Sequence, residues 1–280
     1  MKRAKCQTIS PEDEQHERQG ACTGLNIQVF ASEARLDEAC ADLIEGLLRV
    51  KPRAVLGLAT GGTPLGVYRR LIDDYRKGLV SFRHATTFNL DEYVGLPEDH
   101  PESYHAYMRR NLFDHIDLPP ERAHLPNGNA ADLEAECRRY DALIEEAGGI
   151  DLQLLGIGHN GHIGFNEPGP ALVTGTHVVE LAEETRRANA RFFRSVDEVP
   201  RRAITMGVGT ILKARTIALI AKGTDKADIV RRALEGPITT DCPASLLQTH
   251  PQLIVLLDRD AASKLSPAAL GAAAPGGRTV

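Results

Sequence analysis

The sequence lacks several features that define whole classes of protein. It has no tryptophan, and aromatic residues make up only 5% of its 280 residues. Such a composition argues against a surface that stacks nucleic-acid bases or sugars. No apolar run approaches the roughly 18 residues that a membrane-spanning helix needs. Acidic residues outnumber basic ones, 38 to 33, which excludes a globally basic nucleic-acid-binding protein. We therefore expect a globular protein whose partners include neither a membrane nor a nucleic acid.

The cysteine content excludes a further group of folds. Cys6, Cys22, Cys40, Cys137 and Cys242 are odd in number, widely spaced and never part of a C-x-x-C pair. This spacing argues against a disulfide framework or a zinc ribbon, and it indicates the reducing cytoplasm. The polar stretch that follows the basic N-terminus is not typical of a secretory signal. Cys40 and Cys137 are predicted to fill the core from apolar helix faces.

Short apolar runs alternate with helical patterns along most of the chain. The runs predict strands at residues 26–31, 54–60, 86–90, 151–158, 216–221 and 252–258. Between them, apolar residues recur at helical spacing, and Ser32 and Pro64 are placed to begin two of the helices. This alternation predicts an α/β fold with a mostly parallel sheet and helices on both faces. Residues 1–24 are predicted to form a flexible extension and residues 265–280 a flexible tail, leaving one folded domain at 25–264.

The segment Ala59–Pro64 (ATGGTP), which we call the glycine loop, lies between a predicted buried strand and a predicted helix. Gly61 and Gly62 permit close backbone approach, and the N-terminus of the next helix offers unpaired N–H groups to an anion. The hydroxyls of Thr60 and Thr63 add donors. The loop lacks both the G-K-[ST] ending of a Walker A motif and a G-x-G-x-x-G pattern. It predicts a phosphate site, with a tight structural turn as the alternative.

The adjacent acids Asp91 and Glu92 follow the next predicted strand, in the motif NLDEY. If that strand continues, the two side chains point to opposite sides and do not form a close pair. One carboxylate could then act as a general base that removes a carbon-bound proton. A helix N-cap or a solvated turn is the alternative, and it is the commoner role for such a motif taken alone.

The stretch Gly156–Gly169 (GIGHNGHIGFNEPG) is rich in glycines that allow tight folding around a site. His162 can exchange protons near neutral pH, and Asn160 and Glu167 could orient it. A metal site made of His159, His162 and Glu167 is the alternative. The H-x-x-H pair lacks the helical i,i+4 spacing of H-E-x-x-H, and the glycines disfavour a helix, so we expect no metal.

Basic residues are concentrated in the segment Arg186–Arg194 (RRANARFFR). On one helix, Arg187, Arg191 and Arg194 would share a face. A solvated helix face or a nucleic-acid arm is the alternative, but the acidic chain favours binding of a small anion by at least one arginine. Lys226 follows the strand TIALIA and is expected at the same end of the sheet as the other motifs.

Taken in order, these segments resemble the glucosamine-6-phosphate deaminase family. The resemblance rests on LGLATGGTP, TTFNLDEYVGL, HPESYH, GIG-x-NGHIGFNEPG, TRRANARFF, AITMG and SLLQTHP, which together span about residues 25–260. It implies a single modified Rossmann-like domain with a mobile lid at about residues 181–206. The implied reaction, part of amino-sugar breakdown, converts D-glucosamine 6-phosphate and water to D-fructose 6-phosphate and ammonia, without a cofactor or a metal.

The resemblance also implies a role for each site residue. Asp91 takes the C2 proton and returns it at C1, and His162 promotes opening of the sugar ring with support from Asn160 and Glu167. The phosphate is held by the glycine loop and two basic side chains, namely by Thr60, Gly61, Gly62, Thr63, Arg191 and Lys226. Part of the family has aspartate in place of Asn160. An amide oxygen can accept a hydrogen bond from the imidazole, but it cannot offset an imidazolium charge.

Two other functions are considered. A 6-phosphogluconolactonase has a similar fold, phosphate loop and histidine but needs no C2 base, so the NLDEY motif argues against it. A sugar-phosphate-sensing transcription regulator would carry a helix-turn-helix, for which the first 24 residues are too short and too polar.

The sequence does not reveal the oligomeric state, and a homo-oligomer is possible. Some members of the family are hexamers that N-acetylglucosamine 6-phosphate activates. Here Pro170, Ala171, His177 and Val179 stand where hydroxyl or basic donors would be, so we expect no activation.

Overall fold

The computed structural model describes residues 25–270, and a seven-stranded sheet forms the centre of this part. The described residues form ten strands, seven of them in this sheet and three in a second one. The strands are Asn26–Phe30 (β1), Val55–Leu58 (β2), Thr86–Asn89 (β3), Asp91–Tyr93 (β4), Ala123–His124 (β5), Leu152–Leu155 (β6), His177–Glu180 (β7), Arg202–Thr205 (β8), Thr216–Ala221 (β9) and Leu253–Asp258 (β10). The large sheet has the order β1-β10-β9-β6-β2-β3-β5, and all its neighbouring strands are parallel. The predicted α/β fold with a parallel sheet is confirmed.

Helices lie between the strands along the chain. They are Glu33–Val50 (α1), Leu65–Arg76 (α2), Tyr104–Asn111 (α3), Leu133–Glu146 (α4), Glu183–Asn189 (α5), Val208–Leu212 (α6) and Ala227–Glu235 (α7). Short 3-10 turns lie at Phe113–His115, Pro120–Arg122, Ala190–Phe192, Val196–Glu198, Thr224–Lys226 and Pro243–Thr249. Ser32 caps α1 by accepting a hydrogen bond from the N–H of Arg35, and Pro64 directly precedes α2, both as predicted.

The central strands β2, β6, β9 and β10 of the large sheet are buried on both sides because helices cover both faces. Along β9, Ile217 and Leu219 pack into the core formed with α4, α6 and α7. The alternate residues Ala218 and Ile220 pack into the second core, formed with α1, α2 and α3. Period-two alternation thus divides one apolar run between two cores. Cys40 and Cys137 are buried on their helices, as predicted.

The order of the strands places a binding site between β2 and β6. From β2 the chain extends to β3 and β5 on one side, returns to β6 beside β2, and continues to β9 and β10 on the other side. In open α/β sheets, ligands bind outside the carboxyl ends of the strands at such a reversal. The glycine loop leaves β2 at this point, and the stretch Gly156–Gly169 leaves β6.

A second, antiparallel sheet of three strands has the order β4-β8-β7. Leu90 joins it to the large sheet, because its N–H donates to the Leu58 carbonyl and its carbonyl accepts from the N–H of Met206. β8 is the central strand of this sheet and forms the end of the range 181–206 expected as a lid. Any hinge must therefore precede β8, and the mobility of the lid stays a prediction.

The end of the folded domain lies later than the sequence indicates. Leu265, the first residue of the predicted tail, is buried, and Ala269 packs against the core. The extension at residues 1–24, with Cys6 and Cys22, lies outside the described residues, as do residues 271–280. Within residues 25–270, no helix is both long and apolar enough to cross a membrane.

Candidate active site

A cavity of about 250 Å³ opens at the carboxyl ends of β2 and β6. Nine of the ten predicted site residues line it, namely Thr60, Gly61, Gly62, Thr63, Asp91, Asn160, His162, Arg191 and Lys226. Glu167, the tenth, is not among the lining residues but contacts the Nδ1 atom of His162. The topology therefore brings together motifs that are up to 166 positions apart in the sequence.

The glycine loop presents a row of unpaired backbone donors to one end of the cavity. The N–H groups of residues 60–63 donate to no protein acceptor within the described part of the chain. Gly61 has a φ of +92°, in the region that favours glycine. A Cβ at Gly61 or Gly62 would meet no atom within 4 Å, so both residues face open space. Unpaired N–H groups before a helix N-terminus are suited to an anion.

Asp91 contributes a buried carboxylate to the cavity and is only 6% exposed. Among the described residues, no hydrogen bond to its carboxylate is formed, and none contributes to its pKa. Burial, and next the charge of Glu92, raises the pKa of Asp91 to about 8. The group is therefore an unusually strong base for a carboxylate when it is ionised.

Glu92 points away from the cavity, as the strand geometry predicts. Its carboxylate accepts hydrogen bonds from the N–H groups of Tyr104 and His105, each at 3.0 Å, at the start of α3. The imidazole Nδ1 of His105 lies 2.8 Å from the same carboxylate. The two adjacent acids therefore have different roles, because Glu92 caps α3 while Asp91 faces the cavity.

His162 is oriented by Glu167. The Nδ1 atom of His162 lies 3.3 Å from Glu167 Oε2, and a carboxylate can only accept, so this contact requires the proton on Nδ1. The Nε2 atom is then the one that can exchange a proton with a ligand. The ring packs so closely on Gly158 that a Cβ there would fall 2.2 Å from Nε2. Glycine at position 158 therefore makes room for the histidine.

Asn160 acts on Glu167 and on the backbone instead of on the imidazole. Its Nδ2 donates to Glu167 Oε2 at 2.6 Å, and its Oδ1 accepts from the backbone N–H of His162 at 3.1 Å. The expected bond from the imidazole to the amide oxygen is not formed, because Glu167 occupies the Nδ1 side. Burial alone would raise the pKa of Glu167, but hydrogen bonds from His162, Thr185 and Asn160 hold it below its ordinary value. The negative charge beside the imidazole therefore comes from Glu167.

His159 lies at the edge of the cavity and is directed away from Glu167. Its Nε2 atom is 2.9 Å from Asp225, and both side chains are more than half exposed. In residues 25–270, no three His, Cys, Asp or Glu side chains are grouped closely enough to hold a metal ion. The three residues weighed as metal ligands therefore do not converge.

The arginine-rich segment does not form one helix. α5 ends at Asn189, a 3-10 turn follows, and Phe193 is extended and packs edge-on against the ring of Tyr93, with centroids 5.9 Å apart. The predicted common face of Arg187, Arg191 and Arg194 is therefore wrong. Of the three, Arg191 lines the cavity.

Lys226 lines the same cavity as the glycine loop and lies near enough to Arg191 to feel its charge. Burial, and also the positive charge of Arg191, lowers the pKa of Lys226, while Asp225 opposes this shift. Two mutually repelling cations beside unpaired N–H groups would be stabilised by a shared anion.

Several lining residues were not singled out from the sequence. Tyr104 lies in the cavity at the start of α3, and Thr185 and Asn189 reach it from α5. Thr185 donates to Glu167 Oε1 at 2.5 Å, and Asn189 Nδ2 donates to the Tyr93 hydroxyl at 3.0 Å. Thr185 and Asn189 could have been found from their i,i+4 spacing, because this spacing places both side chains on one helix face.

Fold and site together define an α/β protein with a cavity at the reversal point of its parallel sheet. The cavity combines a loop with unpaired N–H groups, a buried carboxylate and an oriented histidine. Residues 30–255 match the sequence model of the family described as glucosamine-6-phosphate isomerases/6-phosphogluconolactonase. The chain belongs to this family.

Similar proteins cover most of the chain and most of their own length. A glucosamine-6-phosphate deaminase of Geobacillus sp. (strain WCH70) is 56% identical over 233 residues, which are 83% of this chain and 93% of the relative. Glucosamine-6-phosphate deaminase 1 of Bacillus subtilis (strain 168) is 55% identical over 228 residues, 81% and 94% of the two chains.

Solved structures show the same fold. A monomeric glucosamine-6-phosphate deaminase matches with a TM-score of 0.84 and 52% identity, covering 86% of this chain and all of its own. A 6-phosphogluconolactonase from Trypanosoma brucei matches with a TM-score of 0.67 but only 22% identity, covering 86% and 99%. The second likeness shows the shared fold alone.

Proposed function

We propose that this chain is a glucosamine-6-phosphate deaminase. It would convert D-glucosamine 6-phosphate and water to D-fructose 6-phosphate and ammonia in amino-sugar breakdown. The observation that carries the proposal is the buried carboxylate of Asp91, which faces the same small cavity as the glycine loop with its unpaired N–H groups. Relatives that are 50–56% identical and carry this name support it.

In this proposal the glycine loop, Arg191 and Lys226 bind the phosphate. The loop supplies N–H donors, and the two cations supply charge-assisted hydrogen bonds to a dianion. Binding the unreactive phosphate end provides energy that positions the reacting end of the sugar. The proposed substrate is accordingly a phosphorylated sugar.

Ring opening is assigned to His162. Opening the pyranose requires one proton to leave the anomeric hydroxyl and another to reach the ring oxygen. Nε2 of His162 can perform both transfers in turn, while Glu167 holds the ring and stabilises its protonated form. Asn160 and Thr185 fix Glu167 in that position.

Proton transfer between carbon atoms is assigned to Asp91. The carboxylate removes the C2 proton of the open-chain aldose, while the aldehyde oxygen takes up the proton that the ammonium group loses, and an enolamine results. The carboxyl group of Asp91 then returns its proton at C1, which gives the protonated ketimine. Water then hydrolyses the ketimine to the ketose and ammonia. A pKa of about 8 makes Asp91 a stronger base for a weakly acidic C–H bond. The ammonium group of the substrate, bonded to C2, would favour the ionised carboxylate.

A lactonase is the alternative function. Hydrolysis of a lactone proceeds at the carbonyl carbon and requires no base at C2. A buried carboxylate that faces the cavity without a hydrogen-bond donor would have no task in that reaction and would only cost stability. This observation favours the deaminase.

The role of Asp91 is tested by Asp91→Asn, with Asp73→Asn on the exposed side of α2 as the matched control. We expect turnover of D-glucosamine 6-phosphate to fall at least about 100-fold, since asparagine cannot accept the proton. Binding of D-fructose 6-phosphate, measured by calorimetry, should persist. Loss of binding together with turnover would make Asp91 structural, and near-normal turnover would remove it from the chemistry.

A further inference from the structure

Two tyrosine hydroxyls contact the glycine loop from the side of the core. Tyr68 Oη, on α2, donates to the carbonyl oxygen of Ala59 at 2.5 Å. Tyr107 Oη, on α3, donates to the carbonyl oxygen of Gly61 at 2.6 Å. Tyr68 is fully buried. Two helices from different parts of the chain thus fix alternate peptide groups of the same loop.

The orientation of these carbonyls determines where the neighbouring N–H groups point. In a trans peptide the C=O and the following N–H point in opposite directions. Because the Ala59 carbonyl is directed at the core, the N–H of Thr60 points away from it, toward the cavity. The Gly61 carbonyl and the N–H of Gly62 are related in the same way. Both N–H groups lack a protein acceptor in the described residues.

The loop needs such anchors because its glycines do not hold one orientation by themselves. Glycine populates positive and negative φ about equally, so a peptide beside Gly61 can rotate at little cost. Rotation would turn a carbonyl oxygen into the cavity, where it would repel an anion. Burial raises the pKa of both phenols above their ordinary values, so their protons stay available for donation.

We propose that Tyr68 and Tyr107 are positioning residues which hold the glycine loop in its anion-binding orientation and so set its affinity for phosphate. The inference rests on the proposed function, because it takes the phosphate end of the substrate as the ligand of the loop. It predicts an effect on binding that is separate from the chemistry at Asp91.

The test uses Tyr107→Phe and Tyr68→Phe, which remove one hydroxyl each and keep the ring. Tyr75→Phe is the matched control, since Tyr75 packs in the same core from α2 without a hydrogen bond to the loop. Each variant is assayed for KM and kcat with D-glucosamine 6-phosphate and for competitive inhibition by inorganic phosphate. Thermal melting reports whether the fold is kept.

For both loop-contacting variants we expect KM and the inhibition constant of phosphate to rise together, by roughly three- to thirtyfold. The turnover number should stay within about twofold of wild type, and Tyr75→Phe should change neither constant. If Tyr68→Phe does not fold, Tyr107→Phe decides the question. Unchanged KM and phosphate inhibition, or a fall in kcat alone, would overturn the positioning role. A wild-type protein that does not deaminate the substrate would instead overturn the proposed function.

Discussion

Replacing Asp91 by asparagine should stabilise the folded protein increasingly as the pH rises from about 5 to about 8.5. Burial, and next the charge of Glu92, raises the folded-state pKa of Asp91 to about 8. In an unfolded chain, aspartate has a pKa of about 3.9. Between these values the unfolded chain has lost the proton and the folded chain has kept it, so the wild-type protein loses stability as the pH rises. Asparagine does not ionise, so the variant does not lose stability in this way as the pH rises.

The size of the effect follows from the separation of the two pKa values. One pKa unit corresponds to about 1.4 kcal/mol of unfolding free energy. The unfolded and folded pKa values of Asp91 are roughly four units apart, and about two to three of these units lie between pH 5 and pH 8.5. Over this pH range, the unfolding free energy of Asp91→Asn should therefore rise by about 3–4 kcal/mol relative to wild type. For a domain of this size, about 1 kcal/mol moves the melting midpoint by roughly 2–4 °C. The two midpoints should therefore separate by roughly 6–16 °C more at the higher pH.

The assay is thermal or urea unfolding of both proteins at the two pH values, with Asp151→Asn as the control of opposite sign. Burial works against ionisation of Asp151, but hydrogen bonds from Lys51, Val55 and Arg215 prevail and lower its pKa. That group contributes stability which is lost only as the pH falls below the unfolded value, so Asp151→Asn should lose equal stability at both pH values. A constant difference between Asp91→Asn and wild type across the range would refute the account of a buried, destabilising carboxylate.

Three further outcomes are expected. Arg191→Ala and Lys226→Ala should each raise KM about tenfold or more in steady-state assays. The reason is that each variant removes one charge-assisted contact worth about 1.5–3 kcal/mol. An unchanged KM in both variants would place the phosphate elsewhere. Glu92→Gln removes one negative charge beside Asp91 and should therefore lower the pKa of Asp91, which moves the acid limb of the pH profile of kcat/KM to lower pH. An acid limb that does not move would show that Glu92 acts only on α3. Substrate saturation curves should be hyperbolic with or without N-acetylglucosamine 6-phosphate, and a sigmoidal curve that this compound makes hyperbolic would reveal an effector pocket.

The features that the sequence predicted well are those that depend on local pattern. The run TIALIA could only be a strand buried on both faces, and the glycine loop had to follow such a strand. Asp91 and Glu92 diverge because successive strand residues alternate. Each of these conclusions needed only neighbouring residues and a known period.

The features that the sequence did not predict depend on contacts between distant segments. β4, β7 and β8 are only three or four residues long and become strands through pairing with one another, so no periodic pattern marks them. The helix of the arginine segment ends at Asn189, and Phe193 beyond it packs on Tyr93, a hundred positions away. The contacts of Tyr68 and Tyr107 with the glycine loop likewise exist only in the folded chain.

The most direct test of the proposed function is a substrate panel on the wild-type protein in the presence of a chelator. Purified protein is incubated with D-glucosamine 6-phosphate, unphosphorylated D-glucosamine and 6-phosphogluconolactone, and ammonia and D-fructose 6-phosphate are measured. We predict equimolar ammonia and D-fructose 6-phosphate from the first compound, little reaction of the second, and no enzymatic hydrolysis of the third. Hydrolysis of the lactone without release of ammonia, or activity that chelation abolishes and zinc restores, would contradict it.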